Sequence, residues 1–267
     1  MISEKAGKTL RDYVADLAAK GRYCFALGEA RKAIGLSPNA ARLAVNRMVK
    51  AGVLASPARG FYVVVPPEYR NLGCAPPDQF VPQLMEFLGI PYYVGLLSAA
   101  QYHGAAHQRP QEFQVMLRGS RRGIRCGQVR VVFVVRKGLK AVPVQSFNTA
   151  RGTIAVATPE ATAVDLVGYP RRAGGLDQTA MVLADLAEQL NADLLSQAAA
   201  SAPVSWAQRL GYLLDWAGAG GKTEPLREYV ETHARDTIPL LPGATRAEAP
   251  RNAKWKIRVN AEPEADL

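Results

Sequence analysis

The side chains best suited to specific binding chemistry lie in residues 38–51, where polar and apolar residues recur at helical spacing. At about 100° per residue, one arc of such a helix is apolar and the opposite arc is polar and basic. The polar arc carries Asn39, Arg42, Asn46, Arg47 and Lys50. Asn and Arg pair with the major-groove edges of adenine and guanine, and Lys binds phosphate. Leu43 also falls on this arc, where it can touch a thymine methyl. The pattern favours a helix that reads DNA, with an ordinary solvated helix face as the alternative.

Neighbouring residues are candidates for the same chemistry. Ser37 stands where a capping residue precedes a proline, and we include it among the expected DNA contacts. Arg59 is the only basic residue in the predicted turn at 56–60, so we expect it to contact the minor groove or a phosphate. Arg31 and Lys32 lie in the short segment before the long helix. These two residues either bind phosphate or are ordinary surface charges, and the sequence leaves both roles open.

A second basic group lies between the candidate strands at 113–118 and 129–135. Its members are Arg118, Arg121, Arg122, Arg125 and Arg130. A positive loop of this kind can bind the phosphate backbone. We include the first four among the expected DNA contacts, and a solvated hairpin tip remains the alternative.

Residues that could support metal or enzyme chemistry are sparse. His103 and His107 are four residues apart, which is a zinc-binding spacing on a helix, but glycine rather than the metalloprotease glutamate follows His103. Asp165 lies in an apolar helix, and no Asp-x-Lys or Glu-x-Lys pair exists in the chain. We expect no metal site, no cofactor and no catalytic set. We expect His103 in a core or interface, and Asp165 in a cap or a buried salt bridge with Arg209.

The DNA-reading helix needs a scaffold, which the N-terminal pattern supplies. Apolar spacing predicts helices over 8–20 and 28–34, and Ser37 begins the long helix, which should end at Gly52. Strands are predicted at 53–55 and 61–65, joined by the turn that holds Arg59. Helix, short helix, turn, helix and hairpin is the order of a winged helix-turn-helix.

The remaining chain predicts a larger mixed domain. Five prolines in residues 66–82 indicate a linker. Beyond it we expect strands at 113–118, 129–135 and 153–157, a helix capped by Thr158, helices at 177–199, 204–217 and 224–235, and a late strand at 254–260. The expected fold is α+β. Its expected parts are a DNA-binding domain over 1–70, a proline-rich linker over 71–84, and a mixed α/β domain over 85–267.

The charge distribution agrees with a nucleic-acid partner. The net charge is +10 and the sequence pI is about 9.7. Residues 1–150 hold 21 Lys+Arg against 8 Asp+Glu, whereas residues 151–267 hold 12 against 15. A basic excess concentrated in one region is the electrostatic pattern of a nucleic-acid binder. A basic solvated surface is the alternative.

Other classes are disfavoured by composition. The chain is 48% hydrophobic, enough to bury a core, and no apolar run is long enough to span a membrane. The N-terminal residues lack the apolar run of a signal peptide. Three widely spaced cysteines without a CxxC motif predict neither a disulfide framework nor a zinc ribbon. We expect a cytoplasmic protein with reduced thiols.

A series of motifs along nearly the whole chain resembles the AbiEi family of antitoxins. The motifs are GFYVVVPPEYR at 60–70, with Gly73, Pro76 and Pro77 after it, PYYVGLLSAA at 91–100, HGAAHQ at 103–108, TPEATAVDLV at 158–167, GGLD at 174–177, QRLGYLLD at 208–215 and WK at 255–256. Their order together is more specific than any one of them.

The resemblance implies an antitoxin of a type IV toxin–antitoxin pair. It implies an N-terminal winged helix that represses its own operon by binding inverted repeats in double-stranded promoter DNA. It also implies a larger C-terminal domain, basic in part, that assists DNA binding and neutralises a nucleotidyltransferase-like toxin, with direct binding of that toxin left open. Two other functions compete with this one. The first is a stand-alone regulator that senses a ligand, and the second is a DNA-targeted nuclease, against which the missing carboxylate–lysine pair argues.

Overall fold

The structure is a computed structural model that describes residues 8–105, 111–244 and 248–264. Its fold is α+β, as expected. The described residues form two compact units, each built from more than one stretch of chain. The first unit takes its residues from 1–92, 120–133 and 146–154, and the second from 93–119, 134–145 and 155–267.

The N-terminal elements follow the predicted order with one addition. They are α1 (Leu10–Ala19), β1 (Cys24–Ala26), α2 (Leu27–Ile34), α3 (Pro38–Lys50), β2 (Leu54–Ala58) and β3 (Phe61–Val64). The strand β1 was not predicted, because three residues are too few to show an alternating pattern. It pairs antiparallel with β3, and the sheet order is β1-β3-β2. This arrangement is a winged helix-turn-helix, with β2 and β3 as the wing.

Local sequence explains where these helices begin. Thr9 and Asp12 form a reciprocal capping box at the start of α1. At α3, the Ser37 hydroxyl accepts from the Ala40 amide at 3.3 Å, and Pro38 occupies the first helical turn as predicted. Aromatic packing closes the core, since Phe25 of β1 packs edge-on against the Tyr13 ring at 5.7 Å between centroids. The unpredicted strand therefore contributes a central core residue.

The proline-rich segment has more structure than its composition suggests. Two short 3₁₀ helices occupy Pro67–Leu72 and Pro77–Gln79, and α4 (Val81–Leu88) follows directly. Cys74 and Phe80 are fully buried. Proline fixes φ near the value that a helical turn requires, so a proline-rich stretch can pack as well as link. The division into a domain over 1–70, a linker over 71–84 and a domain over 85–267 stays a prediction.

The remaining elements follow in chain order. They are β4 (Tyr92–Val94), α5 (Leu96–Tyr102), β5 (Phe113–Leu117), β6 (Ile124–Cys126), β7 (Val129–Val135), β8 (Val144–Thr149), β9 (Gly152–Ala157), α6 (Pro159–Gly168), α7 (Leu176–Leu186), α8 (Ala192–Ala200), α9 (Val204–Trp216), α10 (Glu224–His233), β10 (Ile238–Pro239), β11 (Arg251–Asn252) and β12 (Ile257–Arg258). The larger sheet has the strand order β6-β7-β5-β4-β9-β8, with β4 and β9 parallel and β6 and β7 antiparallel.

Two predicted elements in the C-terminal half of the chain differ from those observed. The helix predicted over 177–199 is interrupted, because the Asn191 side chain accepts from the amides of Asp193 and Leu194 and starts a new helix, α8. The late strand predicted over 254–260 is regular only in β12. Its alternation is real, since Trp255 and Ile257 are fully buried, but the preceding residues form a turn. No helix in the described part of the chain is long and apolar enough to cross a membrane.

Candidate nucleic-acid interface

Helix α3 presents the predicted polar arc on its exposed side. Ala41 and Val45 are 2% and 0% exposed, and Ala44, Met48 and Val49 pack partly buried against the same core. The opposite arc consists of exposed residues: Asn39, Arg42, Asn46, Arg47 and Lys50. Leu43 lies among them and is 59% exposed. The helix thus offers amides, guanidinium groups, an ammonium group and one apolar side chain on a single free face.

The residues around α3 fix how it is presented. Gly35 ends α2 with a φ of 67°, a left-handed conformation that turns the chain toward α3. Ser37 is exposed, and its oxygen accepts the capping hydrogen bond, so its O–H group stays available as a donor. The preceding α2 carries Arg31, which is half-buried, and Lys32, which is exposed, in its last turn. Cations there also stabilise the helix dipole, which gives both residues a structural role.

The wing places Arg59 at its tip. The turn is tighter than predicted, because β2 continues through Ala58 and only Arg59 and Gly60 connect the strands. Gly60 has a φ of 80°, which few other residues adopt. Its carbonyl oxygen accepts from the Leu27 amide at 2.9 Å. That hydrogen bond connects the turn that carries the exposed Arg59 to the first residue of α2.

The second arginine group is divided by the structure. Arg125 and Arg130 are exposed on the β6–β7 hairpin, and Arg122 is exposed just before β6. All three belong to the same unit as the winged helix. Arg121 is half-buried, with its guanidinium 5.7 Å from the Phe133 ring centroid. Arg118 is exposed but belongs to the second unit. The hairpin therefore adds exposed positive charge to the unit that carries α3.

Asp165 forms a buried salt bridge, but the predicted partner is wrong. Arg136 rather than Arg209 pairs with it, with Arg136 Nε donating to Asp165 Oδ1 at 2.9 Å. Tyr93 donates its hydroxyl to Asp165 Oδ2 at 2.6 Å. Arg209 instead donates to the carbonyl oxygens of Pro239 and Leu240. Burial raises the pKa of Asp165 while Arg136 and Tyr93 oppose that shift. Sequence separation gave no basis for choosing between the two arginines.

His103 is a core residue in the structure, as expected. It is 8% exposed, and its Nε2 lies 2.8 Å from the carbonyl oxygen of Ala157. Burial lowers the pKa of the ring, which favours the neutral tautomer with Nε2 as donor. His107 lies outside the described residues. Among the described residues, no group of three or more His, Cys, Asp or Glu is placed to hold a metal ion.

Sequence reasoning missed a cavity of about 480 Å³ in the first unit, lined by both polar and apolar residues. Arg151 lies over the Tyr23 ring, 3.1 Å from its centroid, and donates to Gln79 Oε1 at 2.7 Å. Gln83 Oε1 is buried and has no hydrogen-bond partner among the described residues. The lining joins residues far apart in the chain, and no local motif marks it.

The fold of the N-terminal elements is the winged helix-turn-helix of DNA-binding transcriptional regulators. The family model described as "Transcriptional regulator, AbiEi antitoxin" matches residues 12–65, and the model "AbiEi antitoxin C-terminal domain" matches residues 93–216. The chain belongs to the AbiEi antitoxin family.

A solved structure shares the fold. The chain is similar to the Rv2827c protein from Mycobacterium tuberculosis, with a TM-score of 0.64 and 19% sequence identity over 96% of this chain and 94% of that one. At this identity the similarity concerns the fold alone. No curated protein matches the chain.

Proposed function

We propose that this antitoxin represses its own operon by binding inverted repeats in the promoter, and that it neutralises a cognate nucleotidyltransferase-like toxin. The observation that carries the DNA-binding part is the exposed arc of α3, whose polar side chains face away from a core formed by α1, α2 and the wing. The toxin and the inverted repeats are inferred from the resemblance to the AbiEi family.

The contacts divide into two kinds by chemistry. Asn39, Arg42 and Asn46 have the planar donors and acceptors that read base edges. Contacts to phosphate position the protein without reading sequence, and this role suits the remaining candidates. They are Ser37, Arg47, Lys50, Arg59, Arg31, Lys32, Arg118, Arg121, Arg122 and Arg125. Leu43 supplies an apolar contact to a thymine methyl group.

The antitoxin role is assigned to the second unit. That unit contains most of the segment that matches the antitoxin C-terminal domain. The buried Asp165–Arg136 ion pair and the Tyr93 hydrogen bond stabilise its interior. A stable fold of this kind can present a surface for toxin neutralisation. Direct binding of the toxin is not needed for this proposal, since neutralisation can act on a shared target.

The test is co-expression with the neighbouring gene, which the family resemblance predicts to encode a nucleotidyltransferase-like toxin. We expect the neighbouring gene alone to arrest growth and the antitoxin to restore it. A variant with Asn46→Ala and Lys50→Ala should still restore growth from an unrelated promoter while losing repression of its own promoter. Failure of the wild-type chain to restore growth would contradict the antitoxin role, and intact repression by the variant would contradict the role of α3.

The cavity in the first unit favours a second candidate, a regulator that responds to a small ligand. Its volume is in the range of ligand pockets, and Phe61 and Phe87 supply an apolar wall beside the charged Glu29 and Arg151. Thermal-shift measurements with a metabolite library test this candidate. A ligand that raises the melting temperature and changes operator affinity would support it. A library in which no compound has both effects would count against this candidate.

A further inference from the structure

Cys74 and Cys126 meet inside the first unit. Cys74 is 0% exposed and Cys126 is 9% exposed, and their side chains are hydrogen-bonded to each other. Both thiols are free. We propose that this pair is an oxidation site, at which hydrogen peroxide converts the two thiols to an intramolecular disulfide that thiol reductants reopen.

The backbone holds the two cysteines together. The Gln128 amide donates to the Leu72 carbonyl oxygen at 2.8 Å, and the Gln128 side chain donates to the Asn71 carbonyl oxygen at 3.0 Å. The backbones of Gly127 and Gly73 are in close contact. A Cβ added to Gly127 would lie 2.8 Å from the Gly73 Cα. Cys74 directly follows the one glycine and Cys126 directly precedes the other. The sulfurs therefore need only a local movement to bond.

The two thiols are chemically unequal. The hydrogen bond with Cys74 lowers the pKa of Cys126, a backbone hydrogen bond with Ser56 lowers it further, and burial opposes both. The pKa of Cys74 is raised, first by the same hydrogen bond and then by burial. The thiolate is the reactive form of cysteine, so Cys126 is the nucleophile and Cys74 the resolving thiol.

The reaction balances with one peroxide. The Cys126 thiolate attacks one oxygen of hydrogen peroxide, the O–O bond breaks, and Cys126 becomes a sulfenic acid while hydroxide leaves. The Cys74 sulfur then attacks the Cys126 sulfur, the S–O bond breaks, and a second hydroxide leaves. The protons of the two thiols convert both hydroxides to water. Two thiols are oxidised and the peroxide is reduced to two waters.

Cys24 provides an internal reference in the same unit. Burial raises the pKa of its thiol to about 12, and Arg151 and Arg22 only partly oppose that shift. At neutral pH it therefore remains a thiol, and we expect it to react slowly with peroxide.

The site has a structural path to the wing. Ser56, whose backbone hydrogen bond reaches Cys126, belongs to β2, the strand that leads to the Arg59 turn. When the Cys126 sulfur moves to bond Cys74, Ser56 loses that hydrogen bond. We expect oxidation to lower operator affinity severalfold, an effect that rests on the proposed function.

The experiment treats the full chain with hydrogen peroxide and counts thiols after denaturation. We expect the count to fall from three to one, peptide mapping to show a Cys74–Cys126 link, and dithiothreitol to restore all thiols. Cys24→Ser should still form the link, whereas Cys74→Ser should not. A link through Cys24, retention of all three thiols, or sulfinic acid at Cys126 without a link would overturn the proposal.

Operator affinity is measured on the same oxidised and reduced samples. A severalfold loss that dithiothreitol reverses, and that is absent in Cys74→Ser, supports the path to the wing. Unchanged affinity in a sample shown to carry the disulfide would contradict that path. If the reduced protein does not bind the operator, the proposed function fails while the thiol count still decides the oxidation site.

Discussion

Arg125 and Arg130 lie directly opposite each other in the antiparallel register of the β6–β7 hairpin, and both residues are exposed. Like charges at opposed positions of an antiparallel pair destabilise it. Their placement therefore works against the hairpin unless an anion lies between them. A phosphate of the DNA backbone would be such an anion, and this relationship makes the hairpin a candidate second contact for DNA.

Replacing both arginines by alanine should weaken operator binding without lowering stability. Each lost phosphate contact should reduce the slope of log affinity against log salt by about 0.9. Affinity titrations at four salt concentrations and a urea melt measure both effects. As a control, Arg171→Ala removes an exposed arginine of the second unit. A fall in the urea midpoint with unchanged salt slope would show that the pair serves the hairpin rather than DNA.

Arg118 needs a separate test because the structure places it in the second unit. If Arg118 binds phosphate, Arg118→Ala should also reduce the slope of log affinity against log salt by about 0.9. Fluorescence anisotropy with a labelled operator measures this. An Arg118→Ala protein with the wild-type slope would remove Arg118 from the interface and leave the hairpin arginines unaffected.

At the wing, Arg59→Ala should weaken operator binding while the protein stays folded. Arg59 is exposed in a two-residue turn, so its side chain supports no core contact. Circular dichroism and anisotropy at near-physiological salt check the two halves of this expectation. Unchanged affinity would mean that the wing does not dock on DNA.

The buried ion pair should dominate the stability of the second unit. Arg136 and Asp165 side chains are 2% and 0% exposed, so Asp165→Ala leaves a buried guanidinium without its partner. We expect a loss of about 3–5 kcal/mol in the free energy of unfolding. Tyr93→Phe, which removes one donor to the same carboxylate, should cost about 1–3 kcal/mol.

Urea unfolding of full-length variants measures these losses. The matched control is Glu224→Gln, which weakens an ion pair with Arg227 at the surface, where the Glu224 side chain is 61% exposed. Its unfolding midpoint should hardly move, because solvent screens such pairs. Equal effects of Asp165→Ala and Glu224→Gln would contradict the structural role of the buried pair.

Sequence patterns predicted the winged helix well because its signals are local. The Ser37–Pro38 cap, the apolar spacing of α3 and the hairpin around Arg59 all depend on neighbours within a few residues. The short strands β1, β4 and β6 were missed, since three residues carry no period. The longer strand β8 was missed as well. The choice of Arg136 over Arg209 as partner of Asp165 depends on tertiary packing, which no local pattern contains.

The composition of the units was also beyond local reasoning. Residues 120–133 and 146–154 belong to the first unit although they follow a stretch of the second. Arg151 illustrates the point, because its contacts with Tyr23 and Gln79 bridge 128 and 72 positions of the chain. The exposed face of α3 was predicted from sequence, whereas the pairing of Arg125 with Arg130 needed the register of the hairpin.

The central claim is that the free face of α3 reads DNA, and Asn46 tests it most directly. The measurement is the affinity of wild type, Asn46→Ala and Lys50→Ala for the promoter and for a panel with each base pair of the repeat changed in turn. Asn46→Ala should lose about 1–3 kcal/mol of discrimination at one position and little elsewhere. Lys50→Ala should weaken binding to every sequence alike. If Asn46→Ala binds the whole panel with wild-type affinities, α3 is not the recognition helix.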